Sequence, residues 1–142
     1  MAITQAICST FKQEVLQGVH NFTASTGNTF KLALYTSSAT LSSATTAYSA
    51  TNETTGTGYT AGGGTLVNLG VSLSGTTAYL SFNDYTWTSA TISAAGALLY
   101  NSSASNKAVA VFSFGGTYSS TNGNFTVSFP ANTSSTAVII LN

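Results

Sequence analysis

Hydrophobic positions near the start of the chain recur with the period of a helix. Ile3, Ile7, Phe11 and Val15 are four residues apart, and polar residues occupy the other faces. This pattern predicts one amphipathic helix, together with its exit, over residues 1–22. Its apolar stripe must be covered by the rest of the domain or by another subunit.

From residue 29 onward the hydrophobic pattern has the period of two that is typical of strands. The run TFKLALYT places Phe30, Leu32 and Leu34 on one face. Comparable runs follow, mostly separated by turn residues: TLVNLGVSL, AYLSF, AGALLYN, AVAVFSF, FTVSF and TAVIIL. The dipeptide Asn122-Gly123 is of the hairpin type and predicts a turn before FTVSF.

About seven or eight strands without a second helix predict a mainly β fold. We expect an antiparallel β-sandwich, jelly-roll-like or immunoglobulin-like, or a closely related barrel, with one N-terminal amphipathic α-helix. Residues 23–142 would form this single domain.

A long arm rich in Ser, Thr and Gly interrupts the strand pattern at about residues 36–64. A loop of this length is unusual in a compact domain, so we expect it to be functional, partly stranded or ordered by a neighbour. The stretch GYTAGGGT in this arm has the glycine spacing of a phosphate-binding loop, but Gly64 stands where the lysine is needed and a strand follows instead of a helix. We interpret Gly62–Gly64 as a tight re-entry into the sheet, where another backbone can approach.

Charged residues are scarce in this chain. Its 142 residues include three lysines, no arginine, three carboxylate side chains and one histidine. Nucleic-acid binding needs clustered cations, and no apolar run approaches the roughly 20 residues of a membrane span, so we expect neither partner. A neutral surface rich in Ser and Thr suits a protein packed against copies of itself, although an ordinary neutral β-protein accounts for the composition equally well.

The sequence offers few groups for catalysis. His20 is the sole histidine, and we interpret it as a polar side chain that satisfies carbonyls at the helix end. Glu53 and Asp84 are far apart in the chain, so we reject them as a glycosidase-like pair. Cys8 has no disulfide partner and is expected to pack as a small hydrophobe. We therefore predict no catalytic residue, no metal ligand, no cofactor and no enzyme activity.

Aromatic residues are more informative about binding. Six of them lie in or beside the predicted loops: Tyr48, Tyr59, Tyr79, Tyr85, Trp87 and Tyr118. Such rings can stack on sugars, but they are also favoured in cores and protein interfaces, and we favour the second use. The candidate interface residues are Phe11, Tyr48, Tyr59 and Tyr118.

Several segments together resemble a group of small virion structural proteins of tailed bacteriophages, especially those of marine and cyanobacterial hosts. These segments are ITQAICSTFKQEVLQGVHNF, TFKLALYTSSATLSSATTAY, TNETTGTGYTAGG, WTSATISAAGALLYN and AVAVFSFGG. The resemblance implies a virion component without enzymatic activity, assembled in the cytoplasm of a bacterial host.

Our first hypothesis is therefore a capsid decoration or cement protein that stabilises the head by binding the assembled shell. Its partners would be copies of itself and the major capsid protein or other virion proteins. The alternative is a tail or neck subunit, such as a tube, adaptor or appendage protein. A third hypothesis is a carbohydrate-binding module on the virion surface.

Overall fold

The computed structural model describes residues 2–142, which form eight strands and one short helix. All strand pairs within the two sheets are antiparallel, and the sheets are arranged like a sandwich, so the predicted mainly β class is confirmed. The elements are β1 (Ala6–Ile7), α1 (Ser9–Leu16), β2 (Phe30–Tyr35), β3 (Gly64–Thr65), β4 (Ser72–Ser74), β5 (Thr77–Leu80), β6 (Tyr85–Asn101), β7 (Lys107–Val127) and β8 (Ile139–Leu141).

The larger sheet has the strand order β1-β7-β6-β2-β3 and is built on one long hairpin. Strands β6 and β7 pair from Asn101 and Lys107, beside the turn, to Tyr85 and Val127 at the far end. Near the turn this hairpin is flanked by β2 on one side and by β1 on the other. Its far half, residues 85–94 and 118–127, has no flanking strand on the β7 side within the described chain, and we call it the distal ribbon.

Three register shifts shape the distal ribbon. The register passes from Gly96–Ser113 to Ala94–Tyr118, so four residues of β7 bulge opposite a single residue of β6. The dipeptide Asn122-Gly123 lies inside β7, and the predicted hairpin at this point is wrong. Asn122 has φ 46° and donates its backbone N–H to the Thr91 hydroxyl at 2.9 Å. The prediction failed because an Asn in the left-handed conformation occurs in β-bulges as well as in turns.

The smaller sheet has the order β4-β5-β8 and shares a core with the larger one. The rings of Phe30 and Phe82 meet at 5.9 Å between centroids, and Phe22 stacks on Phe30 at 4.4 Å. Helix α1 closes the end of this core through Phe11, whose ring lies 5.9 Å from that of Phe22. The helix and both sheets therefore bury one continuous set of apolar side chains.

The helix is shorter than predicted, because it begins at Ser9 and ends at Leu16. Ile7 belongs to β1, and Ile3 forms an isolated bridge with Leu41. A spacing of four residues satisfies the strand period as well as the helix period, and the open side of β7 gives the first residues a strand partner. Gly96 makes room there, since a Cβ at this position would lie 2.7 Å from the Ile3 side chain.

The arm at residues 36–64 packs on its own domain. Its middle is buried at Glu53 and Thr54, and the Thr54 N–H donates to the Leu34 carbonyl at 2.8 Å. The interpretation of the glycines is confirmed: Gly63 has φ 77°, and a Cβ there would collide with the Leu32 carbonyl of β2.

Candidate functional site

A buried carboxylate organises the arm. Glu53 accepts hydrogen bonds from the hydroxyls of Tyr48 and Tyr59 and from the backbone N–H of Gly62, each at 2.7 Å. The Tyr59 hydroxyl in turn accepts the Leu34 N–H at 2.8 Å, and the Tyr100 hydroxyl donates to the Gly62 carbonyl at 2.6 Å. We call these groups the tyrosine cluster. They tie the arm to strands β2 and β6 through charge-assisted hydrogen bonds.

The cluster holds its hydroxyls in the protonated form. Burial, followed by the hydrogen bond and charge of Glu53, raises the pKa of Tyr48 to about 12. Burial and the Glu53 charge likewise raise the pKa of Tyr100 to about 12. The pKa values of Tyr35 and Tyr59 are also raised, mainly by burial. Protonated hydroxyls are the donors that the carboxylate needs, so the cluster is a structural lock.

A second polar network lies between α1 and the hairpin turn. His20 places Nε2 2.7 Å from Glu14 Oε2 and Nδ1 3.0 Å from Asn101 Nδ2. Since a carboxylate accepts and an amide nitrogen donates, this geometry matches an imidazole with its proton on Nε2. The prediction that His20 satisfies helix-end carbonyls is wrong, because its ring nitrogens are bonded to side chains instead. Lys107 adds a longer ion pair to Glu14 at 3.6 Å.

Neither network offers a free reactive group to a substrate. Both ring nitrogens of His20 and both oxygens of Glu53 are engaged, and both residues are 8% exposed. Cys8 is fully buried, as predicted, and burial together with the Glu14 charge raises the pKa of its thiol to about 11. Asp84 shares no hydrogen-bond partner with Glu53, and it accepts the Phe129 N–H at 2.9 Å.

The described residues contain no group of three or more His, Cys, Asp or Glu side chains placed to hold a metal ion. Within the same part of the chain, no helix has the length and apolar character needed to cross a bilayer.

The open side of the distal ribbon carries a surface groove of about 620 Å³, which we call the ribbon groove. All of its lining residues lie between positions 114 and 128, so the groove is formed only by strand β7 and Ser128. Phe125 and Val127 are its buried apolar part, whereas the Tyr118 ring is 59% exposed. The groove contains no charged side chain, because residues 108–142 have none. It therefore offers aromatic, amide and hydroxyl groups beside an unpaired strand edge.

A second uncovered surface lies on the smaller sheet. Leu73, Ala78 and Leu141 are paired across its three strands, and such directly paired side chains share one face. Leu73 is 73% exposed and Leu141 is 57% exposed. This row adjoins a small apolar groove of about 110 Å³ against α1, lined in part by Phe11 and Val71.

The structure separates the four candidate interface residues. Phe11 is 3% exposed and packs in the core of its own subunit. Tyr48 and Tyr59 are half-buried members of the tyrosine cluster, and Tyr48 stacks on Tyr100 with ring centroids 4.9 Å apart. Tyr118 alone among these four is exposed.

Sequence reasoning missed the tyrosine cluster and the exposed face of the smaller sheet. One signal for the cluster was present, since Glu53 is the sole charged residue between Lys31 and Asp84. When such a segment folds inward, its single carboxylate must accept hydrogen bonds from groups of the same chain.

Comparison of the chain with protein-family models, with curated proteins and with solved structures finds no match in any of the three.

Proposed function

We propose that the protein is a structural component of a bacteriophage virion, and specifically a decoration subunit that binds the assembled head. The observation that carries this proposal is the ribbon groove, an uncharged binding surface beside an open strand edge. The resemblance of several segments to small phage virion proteins points in the same direction. A subunit that binds only the assembled shell stabilises it by mass action.

The ribbon groove suits an extended segment of another virion protein. Beyond Ser113, whose N–H donates to the Gln5 side chain, β7 has no strand partner on its outer side within residues 2–142, so its backbone groups there are available for strand addition. The exposed Tyr118 ring would supply an anchor, since tyrosine buries a large area and loses little side-chain entropy. Because the groove carries no charge, binding should depend little on salt.

Copy number tests the proposal directly. The amount of this chain relative to the major capsid protein is measured by quantitative mass spectrometry of purified particles of the phage that encodes it. A ratio near one, or a simple fraction of one, supports head decoration. A small number typical of a ring supports the tail or neck alternative, and absence from the particles refutes a virion role.

A rebinding assay tests the surface. Particles that lack the protein are mixed with the purified wild type, with Tyr118→Ala or with the neighbouring control Thr117→Ala, and bound protein is quantified. We expect Tyr118→Ala to weaken binding by about tenfold or more and Thr117→Ala to bind normally. Equal binding of all three would refute the groove as the contact. A glycan array in parallel tests the carbohydrate-binding hypothesis. That hypothesis requires the wild type to bind a sugar on the array and Tyr118→Ala to lose this binding.

A further inference from the structure

We propose that Asn122 deamidates spontaneously in the folded protein, through a cyclic imide that its side chain forms with the backbone nitrogen of Gly123. These two residues are the sole Asn-Gly pair in the chain. They lie in the distal ribbon, inside β7, and neither of them lines the ribbon groove. Such a modification site is independent of the virion role.

The reaction needs only water and hydroxide as co-reactants. Hydroxide removes the proton from the Gly123 amide nitrogen, and this nitrogen attacks Cγ of Asn122. A C–N bond forms there, and the side-chain nitrogen leaves as ammonia. Water then opens the imide at either of its carbonyls. One product has aspartate in place of Asn122, and the other is isoaspartate, in which the main chain runs through the former side chain. Glycine favours the ring closure because it has no Cβ beside the attacking nitrogen.

Both reacting groups are unobstructed. Asn122 is exposed, and its carboxamide makes no hydrogen bond to any residue of the described chain 2–142. By contrast, the carboxamides of Asn21, Asn68 and Asn101 are each held by hydrogen bonds to the backbone or to neighbouring side chains. The space beside Gly123 is open, since a Cβ there would meet only a backbone oxygen at 3.6 Å, apart from its chain neighbours.

The backbone at this site is weakly held. Gly123 pairs with Ala90, and the register shifts on both sides of this pair, so the ladder holds Gly123 at a single point. Ser89 and Asn122, which precede the two paired residues, have left-handed φ values of 47° and 46°. On its outer side this part of β7 has no flanking strand within residues 2–142. The segment can therefore open locally while the rest of the sheet stays folded.

Local opening decides how fast the folded protein reacts. Ring closure requires Asn122 and Gly123 to leave their strand geometry, so the native rate is the unfolded rate multiplied by the fraction of molecules in which this segment is open. If global unfolding were required, the native rate would be lower than the unfolded rate by about 1000-fold or more, which is the unfolding equilibrium constant of an ordinary domain. Opening an exposed and unflanked segment costs little free energy, so we expect a native rate within about tenfold of the unfolded rate.

Both products alter the distal ribbon. The new carboxylate is the first charged side chain in residues 108–142, which have none. Isoaspartate also adds a carbon to the backbone just before Gly123. The residues that follow, Phe125 and Val127, pair with Trp87 and Tyr85 and form the buried apolar part of the ribbon groove. The isoaspartate form should therefore shift this pairing, whereas the aspartate form adds charge alone.

Peptide mapping by mass spectrometry tests the site on the full purified chain. The protein is incubated in mildly alkaline buffer, native in one sample and unfolded in guanidinium chloride in another, and the deamidated fraction at each asparagine is followed with time. We expect Asn122 to deamidate in the native sample, within about tenfold of its rate in the unfolded one. A native rate lower by about 1000-fold or more, or no reaction in either sample, would overturn the proposal.

Two controls identify the mechanism. Asn124 is exposed in the same strand but precedes Phe125, so it should keep its amide during the same incubation. Gly123→Ala places a Cβ beside the attacking nitrogen and should slow the reaction at Asn122 in both samples, and its folding is checked by circular dichroism. The product should be a mixture of aspartate and isoaspartate, because water opens the imide at either carbonyl. Aspartate alone, an unchanged rate in Gly123→Ala, or equal deamidation of Asn124 would refute reaction through the imide.

Discussion

Removal of one hydroxyl from the tyrosine cluster should destabilise the whole fold. The Tyr59 hydroxyl donates to Glu53 Oε1 at 2.7 Å and accepts the Leu34 N–H at 2.8 Å. Tyr59→Phe keeps the ring, including its contact with Trp87 at 5.7 Å between centroids, and deletes only these two hydrogen bonds. The variant therefore isolates the polar link between the arm and strand β2.

The magnitude follows from the two lost bonds. The bond to the carboxylate is charge-assisted, and such bonds contribute about 1.5–3 kcal/mol, whereas the neutral bond to Leu34 contributes about 0.5–1.5 kcal/mol. The Leu34 N–H then has no hydrogen-bond partner, and water cannot replace the lost bond because Leu34 is fully buried. We expect the free energy of unfolding to fall by about 3 kcal/mol.

Urea unfolding followed by fluorescence measures this change, because Trp87 is the sole tryptophan and is 5% exposed in the native state. With a slope of about 1.5 kcal/mol per molar urea, the midpoint should fall by about 2 M. The matched control is Tyr79→Phe, since the Tyr79 hydroxyl makes no side-chain hydrogen bond within the described chain. A midpoint for Tyr59→Phe within experimental error of the control would refute the role assigned to the cluster.

Three further outcomes are expected. The pKa values of Tyr48 and Tyr100 are raised from 10.0 to about 12, so the folded state holds these protons more tightly than the unfolded state does. The urea midpoint should therefore fall as the pH rises from 10 towards 12, and the fall should be smaller for Tyr48→Phe. Cys8, buried and with its pKa raised to about 11, should react with a thiol reagent only as fast as the protein unfolds, and rapid labelling of the native protein would contradict its burial. Gly63→Ala should cost more than about 4 kcal/mol through its backbone collision, whereas Gly75→Ala, in open space at φ 59°, should cost about 1 kcal/mol in the same urea assay.

The sheet strands could be predicted from the sequence where the alternation is long. The run from Phe30 to Tyr35 forms β2 as expected. Its second face is buried too, since Ala33 and Tyr35 are covered, and the expectation of one buried side was wrong on this point. The start of the helix could not be predicted, since Ile3 and Ile7 fit both periods. The choice between them depends on a free edge of β7 that lies more than a hundred residues away in the chain, where Ala6 pairs with Val111 and Ile7 with Ala110. The Asn122-Gly123 dipeptide misled for a related reason, because the same backbone angles serve turns and bulges.

The candidate surfaces were predictable only in part. Tyr118 was identified by residue type and by its place beside a loop, and its ring is exposed. The same criteria selected Tyr48 and Tyr59, which the Glu53 carboxylate draws inward through contacts that no local pattern encodes. Alternation around Leu73 indicated a strand, but whether its apolar side is covered depends on how far α1 extends over the sheet.

The strand order of the smaller sheet has a consequence for the order in which the two sheets can form. The β6–β7 hairpin closes over a turn of five residues, 102–106, and can form early, whereas β8 reaches β5 only across a loop of about 60 residues. Strand β8 supplies Ile139 opposite Leu80 and Leu141 opposite Ala78, so the smaller sheet is incomplete before β8 docks. Because β8 follows β7 in the chain, the smaller sheet is the last part of this fold that can close during synthesis, and the hairpin of the larger sheet can already be in place to receive it.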